Sequence, residues 1–522
     1  MKRRMKMLAF LLTAALLLVT ACADGSGGNA SNANDGGSGG SGEKVNHAGE
    51  DTNTETPGNA IPEEHVELTY YYWGWKTEGE KDVKLVEEEI NKYIGPKINA
   101  SIRLKFQGFS EYGPKINTML ASGEKFDIFW GGFLFGYYDN VAKGAFLELN
   151  DLLDEYGEET KQALPDWAWK AATYSDGKIY GVPALQTSYN NTGLNFQKRF
   201  VEKYNIDVNT VRTLDDLEPY LAKYVEDNPL PGVKPMRAFG WGDIANTWLG
   251  LEKIGDKDYI GIRTGDDGLK VINPIDTPEV LDLFKRMEAW NAKGYLANKK
   301  PDEDKAKLEG YPFSVGAVIK PGGEAEAAQH NGGEKRQPIV LQHDTKAYLP
   351  AAFPMQTFNA ISRTSANPER AMMFLNMMNS DKTLFNLLAH GIEGKHYTKV
   401  DANTYKKIPD SGYDPGADWE FGNSFLSYVL EGQPADVFEQ AAAINNNAEK
   451  SKLLGFSFNP EPVQSEIANL DAIGSEYMDS FHKGLLDVDK KYPEYLAKLE
   501  KAGLKKVHEE AQRQLDEWKA KQ

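Results

Sequence analysis

The sequence predicts an α/β protein of more than one lobe, organised on a parallel sheet and extended at its C-terminus by helices. Three observations predict this. From residue 66 to residue 130, strand and helix patterns alternate as β-α-β-α-β, the order that favours a parallel sheet with crossover helices. A second αβ pattern starts near residue 198. From Phe456 onward the pattern is helical. In open parallel sheets ligands bind beyond the carboxyl ends of the strands, so residues at those ends are the first candidates for function.

Residues 66–73, VELTYYYW, are β-branched and aromatic with no breaker and predict a strand. Val83, Val86, Ile90 and Tyr93 then recur at helical spacing. SIRLKFQ at 101–107 alternates as a second strand, Tyr112, Ile116, Met119 and Leu120 mark a helix ended by Gly123, and FDIFW at 126–130 reads as a buried third strand. The strand ends present Trp73-Gly74-Trp75, Gly108-Phe109-Ser110 and Trp130-Gly131-Gly132-Phe133. Glycine there admits close backbone approach, and tryptophan offers a flat apolar face. Residues 177–197 hold two short extended stretches, 311–323 a strand running into a glycine turn, and 347–365 an extended run. Asn367-Pro368-Glu369 opens a helix with an N-cap, a first-position proline and a first-turn acid. In the tail, Ile467, Leu470, Ile473, Tyr477 and Phe481 form one apolar stripe, and Val507, Ala511, Leu515 and Trp518 another.

The start of the chain predicts export and anchoring. Lys2, Arg3, Arg4 and Lys6 precede an apolar run from Leu8 to Val19. That run is shorter than the roughly 20 residues a spanning helix needs and reads as a signal peptide. Val19-Thr20-Ala21-Cys22 is similar to the lipobox of bacterial lipoproteins, in which the cysteine thiol takes a diacylglyceryl group and becomes the first mature residue. Cys22 is the chain's one cysteine, so no intrachain disulfide is available. The Gly/Ser/Asn-rich stretch that follows cannot bury enough apolar surface to offset backbone entropy. As a flexible tether of about 40 residues it has a reach of roughly 35 Å.

The charge excludes one class of partner. The formal net charge is −18, and cleavage of a leader with four basic and no acidic residues makes the mature chain more acidic still. Nucleic-acid binding needs Lys and Arg against phosphates, so no nucleic acid is expected, and membrane attachment falls to the lipid on Cys22. The ordinary role of such charge is solubility.

Several segments together resemble a family. DIFWGGFLFGYYDNVAKGAFLELN at 127–150 resembles the strand and loop of maltodextrin-binding proteins and their relatives among family 1 extracellular solute-binding proteins. GKIYGVP at 177–183 resembles that family's first hinge strand, and NPERAMMFLNMMNSD at 367–381 its return helix. The tail, with NPEPVQSEIAN, GLLDVDKKYPEYLAKLEKAGLKKV and QRQLDEW, resembles the C-terminal domain of LipO-like lipoproteins. The resemblance implies a type II, two-lobe periplasmic-binding-protein-like fold whose hinge is crossed more than once, closing on ligand by hinge motion. It implies capture of a carbohydrate, an oligosaccharide, for ABC permease subunits in the membrane, by a monomer without catalysis, cofactor or metal. The expected segmentation is signal peptide 1–21, lipidated cysteine and tether 22–63, first-lobe segment 64–182, hinge 183–196, second-lobe segment 197–346, hinge and first-lobe return 347–400, second-lobe segment 401–455, and helical C-terminal domain 456–522.

A sugar stacks its C–H faces on aromatic rings and needs hydrogen bonds at its hydroxyl edges, so a cleft of Trp or Tyr beside polar groups is sought. Trp130 stands where the maltodextrin binders place a ligand-contacting tryptophan and is the leading candidate. Gly131, Gly132 and Phe133 replace that family's charged groups, which argues against maltodextrin itself. Of Trp73 and Trp75, one is expected to face the cleft. Tyr189 and Asn190 follow the first hinge strand, with turn formation the competing role for Asn190. Trp241 and Trp248 are second-lobe candidates or core residues. Glu324 follows the glycine turn, Trp419 precedes FGNSF, and Arg363 pairs either with a carboxylated sugar or with the protein itself.

Two rival classes remain at this stage. A lipid-anchored glycoside hydrolase needs two carboxylates flanking the scissile bond, and 77 Asp and Glu leave room for such a pair. A peptide binder or a sensor of the same fold is the other. The folded part carries no G-x-S-x-G, H-E-x-x-H or P-loop motif. His390 and His396 lack zinc-ligand spacing.

Overall fold

The computed structural model describes residues 61–75, 81–255, 257–299, 310–330, 338–343 and 345–522. The signal peptide, Cys22 and the tether up to residue 60 lie outside the described residues. The last expected tether residues are fixed: buried Arg370 donates to the carbonyls of Pro62 at 2.6 Å and Glu64 at 3.0 Å, and Asn99 Nδ2 to that of Glu63 at 2.8 Å. The folded body therefore starts slightly earlier than residue 64.

The first lobe is built on β1 (Val66–Gly74), α1 (Val83–Ile98), β2 (Ala100–Gly108), α2 (Phe109–Ser122) and β3 (Ile128–Gly132). β1 pairs in parallel with both β2 and β3, with Gly74 opposite Gly108, so the strand tips are level. The central strands β1 and β3 are buried on both faces over Tyr70–Gly74 and Ile128–Gly132, as a sheet covered by helices on each side requires, whereas the edge strand β2 alternates. Asp127 secures the start of β3. Its Oδ2 accepts from the Thr69 backbone N–H at 2.9 Å, and its Oδ1 from Ser365 Oγ at 2.6 Å. The sheet is completed by β4 (Val182–Pro183) and, from the return segment, an antiparallel strand at Thr357–Ile361, in the order β2-β1-β3-(357–361)-β4. The run 347–365 is not one extended strand. Prolines at 350 and 354 interrupt it, and a 3₁₀ turn at Phe353–Gln356 separates Tyr348–Leu349 from the sheet strand.

The second lobe has its own five-stranded sheet. β5 (Gly193–Gln197) lies antiparallel to β8 (Phe313–Gly316), and β8 is parallel to β6 (Met236–Arg237), which is parallel to β7 (Leu296–Ala297). An outer strand at Ile339–His343 flanks β5. The return strand at 357–361 is β9.

Three segments cross between the lobes. The first joins β4 to β5, the second runs through Tyr348–Leu349 to β9, and the third contains Glu449–Lys450, which pairs in parallel with Tyr348–Leu349. Asn190 of the first crossing exchanges backbone hydrogen bonds with Tyr348 of the second, at 2.7 and 2.8 Å. Buried Glu252 of the second lobe accepts from Tyr348 Oη at 2.6 Å, Ala351 N at 2.7 Å and Ser451 Oγ at 2.7 Å. One carboxyl thus ties two crossings to one lobe. Burial raises its pKa above the usual carboxylate range, and the three donors oppose that rise.

One placement differs from the expected segmentation. The stretch 401–455 was expected in the second lobe, yet Tyr413, Ala417 and Phe421 are buried in the first-lobe core. The helices at 456–522 form the expected C-terminal helical region and pack on the second lobe: Ile467, Leu470, Phe481, Val507 and Leu515 join its core. The stripes find their partner in the helix Pro278–Ala292, where Phe284 stacks on Phe481 with ring centroids 4.8 Å apart.

Candidate ligand-binding cleft

The carboxyl ends of β1, β2 and β3 carry one continuous group of aromatic rings. Trp73 lies 5.6 Å from Trp130, 4.9 Å from Phe109 and 5.7 Å from Trp419, in edge-to-face contacts. Trp75 stacks on Phe109 at 4.9 Å, and Phe133 packs on Trp130 at 5.4 Å. Within this group, Trp75 is 53% exposed and Phe133 48%. The structure therefore brings together five of the residues singled out from sequence: Trp73, Trp75, Trp130, Phe133 and Trp419.

Their depth differs from expectation. Trp130, expected as the leading contact, is 0% exposed. Its Nε1 donates to Thr357 Oγ1 at 2.8 Å, and its backbone carbonyl accepts from Tyr112 Oη at 2.7 Å. Phe133 and Trp419 cover it, so it forms the floor and Trp75 and Phe133 the open faces. Trp73 is likewise buried beneath Trp75. Gly131 does not serve ligand approach: the space a Cβ would occupy is filled by the Phe358 ring. Phe109 is the platform member that sequence reasoning passed over; it stands at the carboxyl end of β2, a position already marked as a strand tip.

Trp419 links the platform to the opposite lobe. With Asp418 of its own segment and Lys320, which follows β8, it lines a cavity of ≈ 100 Å³. Lys320 pairs with Glu326 at 2.7 Å, and Glu326 accepts from Gln433 Nε2 at 3.0 Å. These contacts join the segment after β8 to the first-lobe loop around Gln433. Behind the platform, Glu420 is fully buried, and burial pushes its carboxyl well above the usual range.

The remaining candidates sit elsewhere. Tyr189 is buried in the first-lobe core, and Asn190 is a hinge residue whose Nδ2 donates to Asn246 Oδ1 at 2.8 Å. Of the two roles open to Trp241, the structure gives the core one: it is 0% exposed within the second-lobe core, with Lys253 Nζ 4.8 Å from its ring. Trp248 packs partly buried on the same core. Glu324 is exposed on the helix Gly323–His330 and accepts from Leu341 N at 3.1 Å, within its own lobe. For Arg363 the ligand-pairing alternative is corrected. β9 runs antiparallel to β3, with Thr357 opposite Gly132 and Ile361 opposite Ile128. Arg363, two residues beyond the end of β9, therefore falls at the amino end of the parallel strands, away from the aromatic tips.

The second lobe presents a matching edge. β6, β7 and β8 run parallel, and their carboxyl ends border a cavity of ≈ 490 Å³. The end of β8 pairs with the start of β5 (Gly316 with Gly193), where the first crossing enters. Thr357, at the platform end of β9, accepts at its carbonyl from Ala184 N at 3.0 Å, where that crossing leaves. Both sets of strand tips thus open toward the hinge. Among the described residues, no group of His, Cys, Asp or Glu is arranged as metal ligands, and no helix is long and apolar enough to cross a membrane.

Comparison with known proteins matches this fold. Residues 73–384 match the family described as bacterial extracellular solute-binding protein, and residues 452–520 match a domain of unknown function, DUF3502. A carbohydrate ABC transporter substrate-binding protein of Streptococcus pneumoniae is 27% identical over 435 residues, covering 82% of this chain and 86% of that protein. The N-glycan transport solute-binding protein NgtS of Streptococcus pneumoniae superposes with a TM-score of 0.74 at 25% identity, covering 86% of this chain and 98% of its own. The same protein in complex with Man1GlcNAc gives a TM-score of 0.72 at 24% identity, covering 87% of this chain and 99% of its own.

Proposed function

The chain belongs to the bacterial extracellular solute-binding protein family, and from that premise we propose that it captures an oligosaccharide between its two lobes and delivers it to an ABC importer. The observation that carries this is the aromatic platform at the tips of β1–β3, with Trp75 and Phe133 exposed above buried Trp73 and Trp130. An exposed pair of large rings on a rigid floor suits the apolar face of a pyranose. The relatives named for carbohydrate transport and N-glycan transport support the same ligand class. The protein acts as a monomer that binds without turning over its ligand. Cys22, lipidated after removal of the leader, anchors it on the extracytoplasmic face of the membrane, because a tethered binder stays near its permease.

Calorimetry on the mature chain tests this with Man5GlcNAc, maltopentaose, trigalacturonate and a pentapeptide. Saturable binding of a saccharide with unchanged ligand after incubation is the expected result. Binding of the peptide alone, or release of free sugar from any glycoside, contradicts it.

A further inference from the structure

The helix Gln464–His482 ends beside the carboxyl tips of the second-lobe sheet, and three contacts hold it there. Asn291 Nδ2 donates to the Gly484 carbonyl at 2.8 Å, and Asn298 Nδ2 to that of Lys483 at 3.1 Å. Asn298 directly follows β7. The His482 ring packs against Gly240, where a Cβ would lie 3.0 Å from Cε1. The helix end and the loop after β6 are therefore fitted to each other.

What this fit creates is one wall of the ≈ 490 Å³ cavity. Asp479 and Lys483 line it from the C-terminal helices, Arg237 and Asp243 from the end of β6 and the loop after it, and Tyr311 and Ser314 from the start of β8. The polar groups are of both signs. Arg237 is exposed at the end of β6 and makes no ion pair among the described residues. Lys483 pairs with Asp479 at 3.0 Å across one helical turn. Asp243 accepts from Gly240 N at 2.8 Å and is otherwise open to solvent.

We propose that the C-terminal helical region, which matches a domain of unknown function, supplies part of the ligand-binding wall: Lys483 and Asp479, with Arg237 and Asp243, form a subsite for one unit of a neutral oligosaccharide. The argument is chemical. Each sugar hydroxyl is both donor and acceptor, and a wall of two cations and two carboxylates offers both roles while its charge balances. A uronate would gain from Arg237 and Lys483 but face Asp243 and Asp479. The subsite lies at the strand tips that open toward the hinge, so a chain resting on the aromatic platform reaches it from across the cleft. The inference rests on the oligosaccharide-binding reading.

The test is calorimetry of Arg237→Ala, Lys483→Ala and their double variant, with Arg237→Gln and Lys483→Gln as milder replacements, against Man5GlcNAc, maltopentaose and trigalacturonate. Tm of each variant is measured alongside. The expected result is at least a tenfold loss of affinity for a neutral oligosaccharide in the double variant, with Tm unchanged. Wild-type affinity retained in the double variant overturns the subsite while leaving the binding reading intact. Wild-type binding of trigalacturonate alone overturns the neutral assignment. Wild-type binding of none of the three overturns the reading and the subsite together.

Discussion

The indole of Trp75 lies stacked on the ring of Phe109, with centroids 4.9 Å apart and planes 26° from parallel, and its outer face is open. The two rings come from the tips of neighbouring strands, held level by the β1–β2 register. A flat face fixed in this way contributes to binding without first having to be ordered.

Trp75→Ala is therefore expected to weaken oligosaccharide binding by tenfold or more, a loss of about 1.4 kcal/mol. Its cost in stability is limited to the loss of exposed aromatic contacts, on the order of 0.5–1.5 kcal/mol. Calorimetry and thermal unfolding on the same preparation check both halves. Phe133→Ala is expected to behave in the same way.

Trp130→Ala separates floor from face. Emptying a fully buried tryptophan site costs about 3–5 kcal/mol and leaves the Thr357 hydroxyl without its indole donor. A clear fall in the urea midpoint is expected, with binding lost in proportion to the collapse of the platform. An unchanged midpoint would mean that Trp130 does not support the rings above it.

Glu252 is the hinge anchor, and Glu252→Ala strands the donors of Tyr348, Ala351 and Ser451. Each buried unsatisfied group costs about 1–3 kcal/mol. Lower stability and a larger radius of gyration in solution scattering are expected, because the second and third crossings lose their tie to the second lobe. Glu252→Gln keeps the shape and is expected to lose less.

A pH effect follows from His390. Burial lowers its pKa to about 4, its Nε2 lies 2.7 Å from Ser427 Oγ, and its ring stacks on Tyr405 at 4.2 Å. A histidine held neutral in the folded state stabilises fully above its unfolded pKa of about 6.5, and that contribution is lost as pH falls from there toward 4. The slope of stability against pH between 4 and 6.5 is expected to flatten in His390→Gln. An identical slope in wild type and variant would contradict this.

The strand tips were legible because runs such as VELTYYYW and FDIFW end in glycine, and a parallel sheet places its tips together. The tail stripes were legible from helical spacing. Depth was not. Trp130 is buried because Trp419, distant in sequence, closes over it, and no local pattern reports that. Arg363 was misplaced because the direction of β9 depends on the hinge topology rather than on its residues. Trp241 was left between a cleft and a core role, because what decides it, such as the fit of Gly240 against His482, is a packing relation between segments far apart in the chain. The subsite residues Arg237 and Lys483 carried no motif at all; only the folded helix end brings them to one cavity.

A crystal structure of the mature chain with the tightest-binding oligosaccharide tests the central claim most directly. The account predicts a sugar ring against Trp75 or Phe133, between the lobes, with Trp73 and Trp130 unmoved beneath it. A ligand bound away from these rings, or a platform left fully solvent-exposed in the complex, would contradict it.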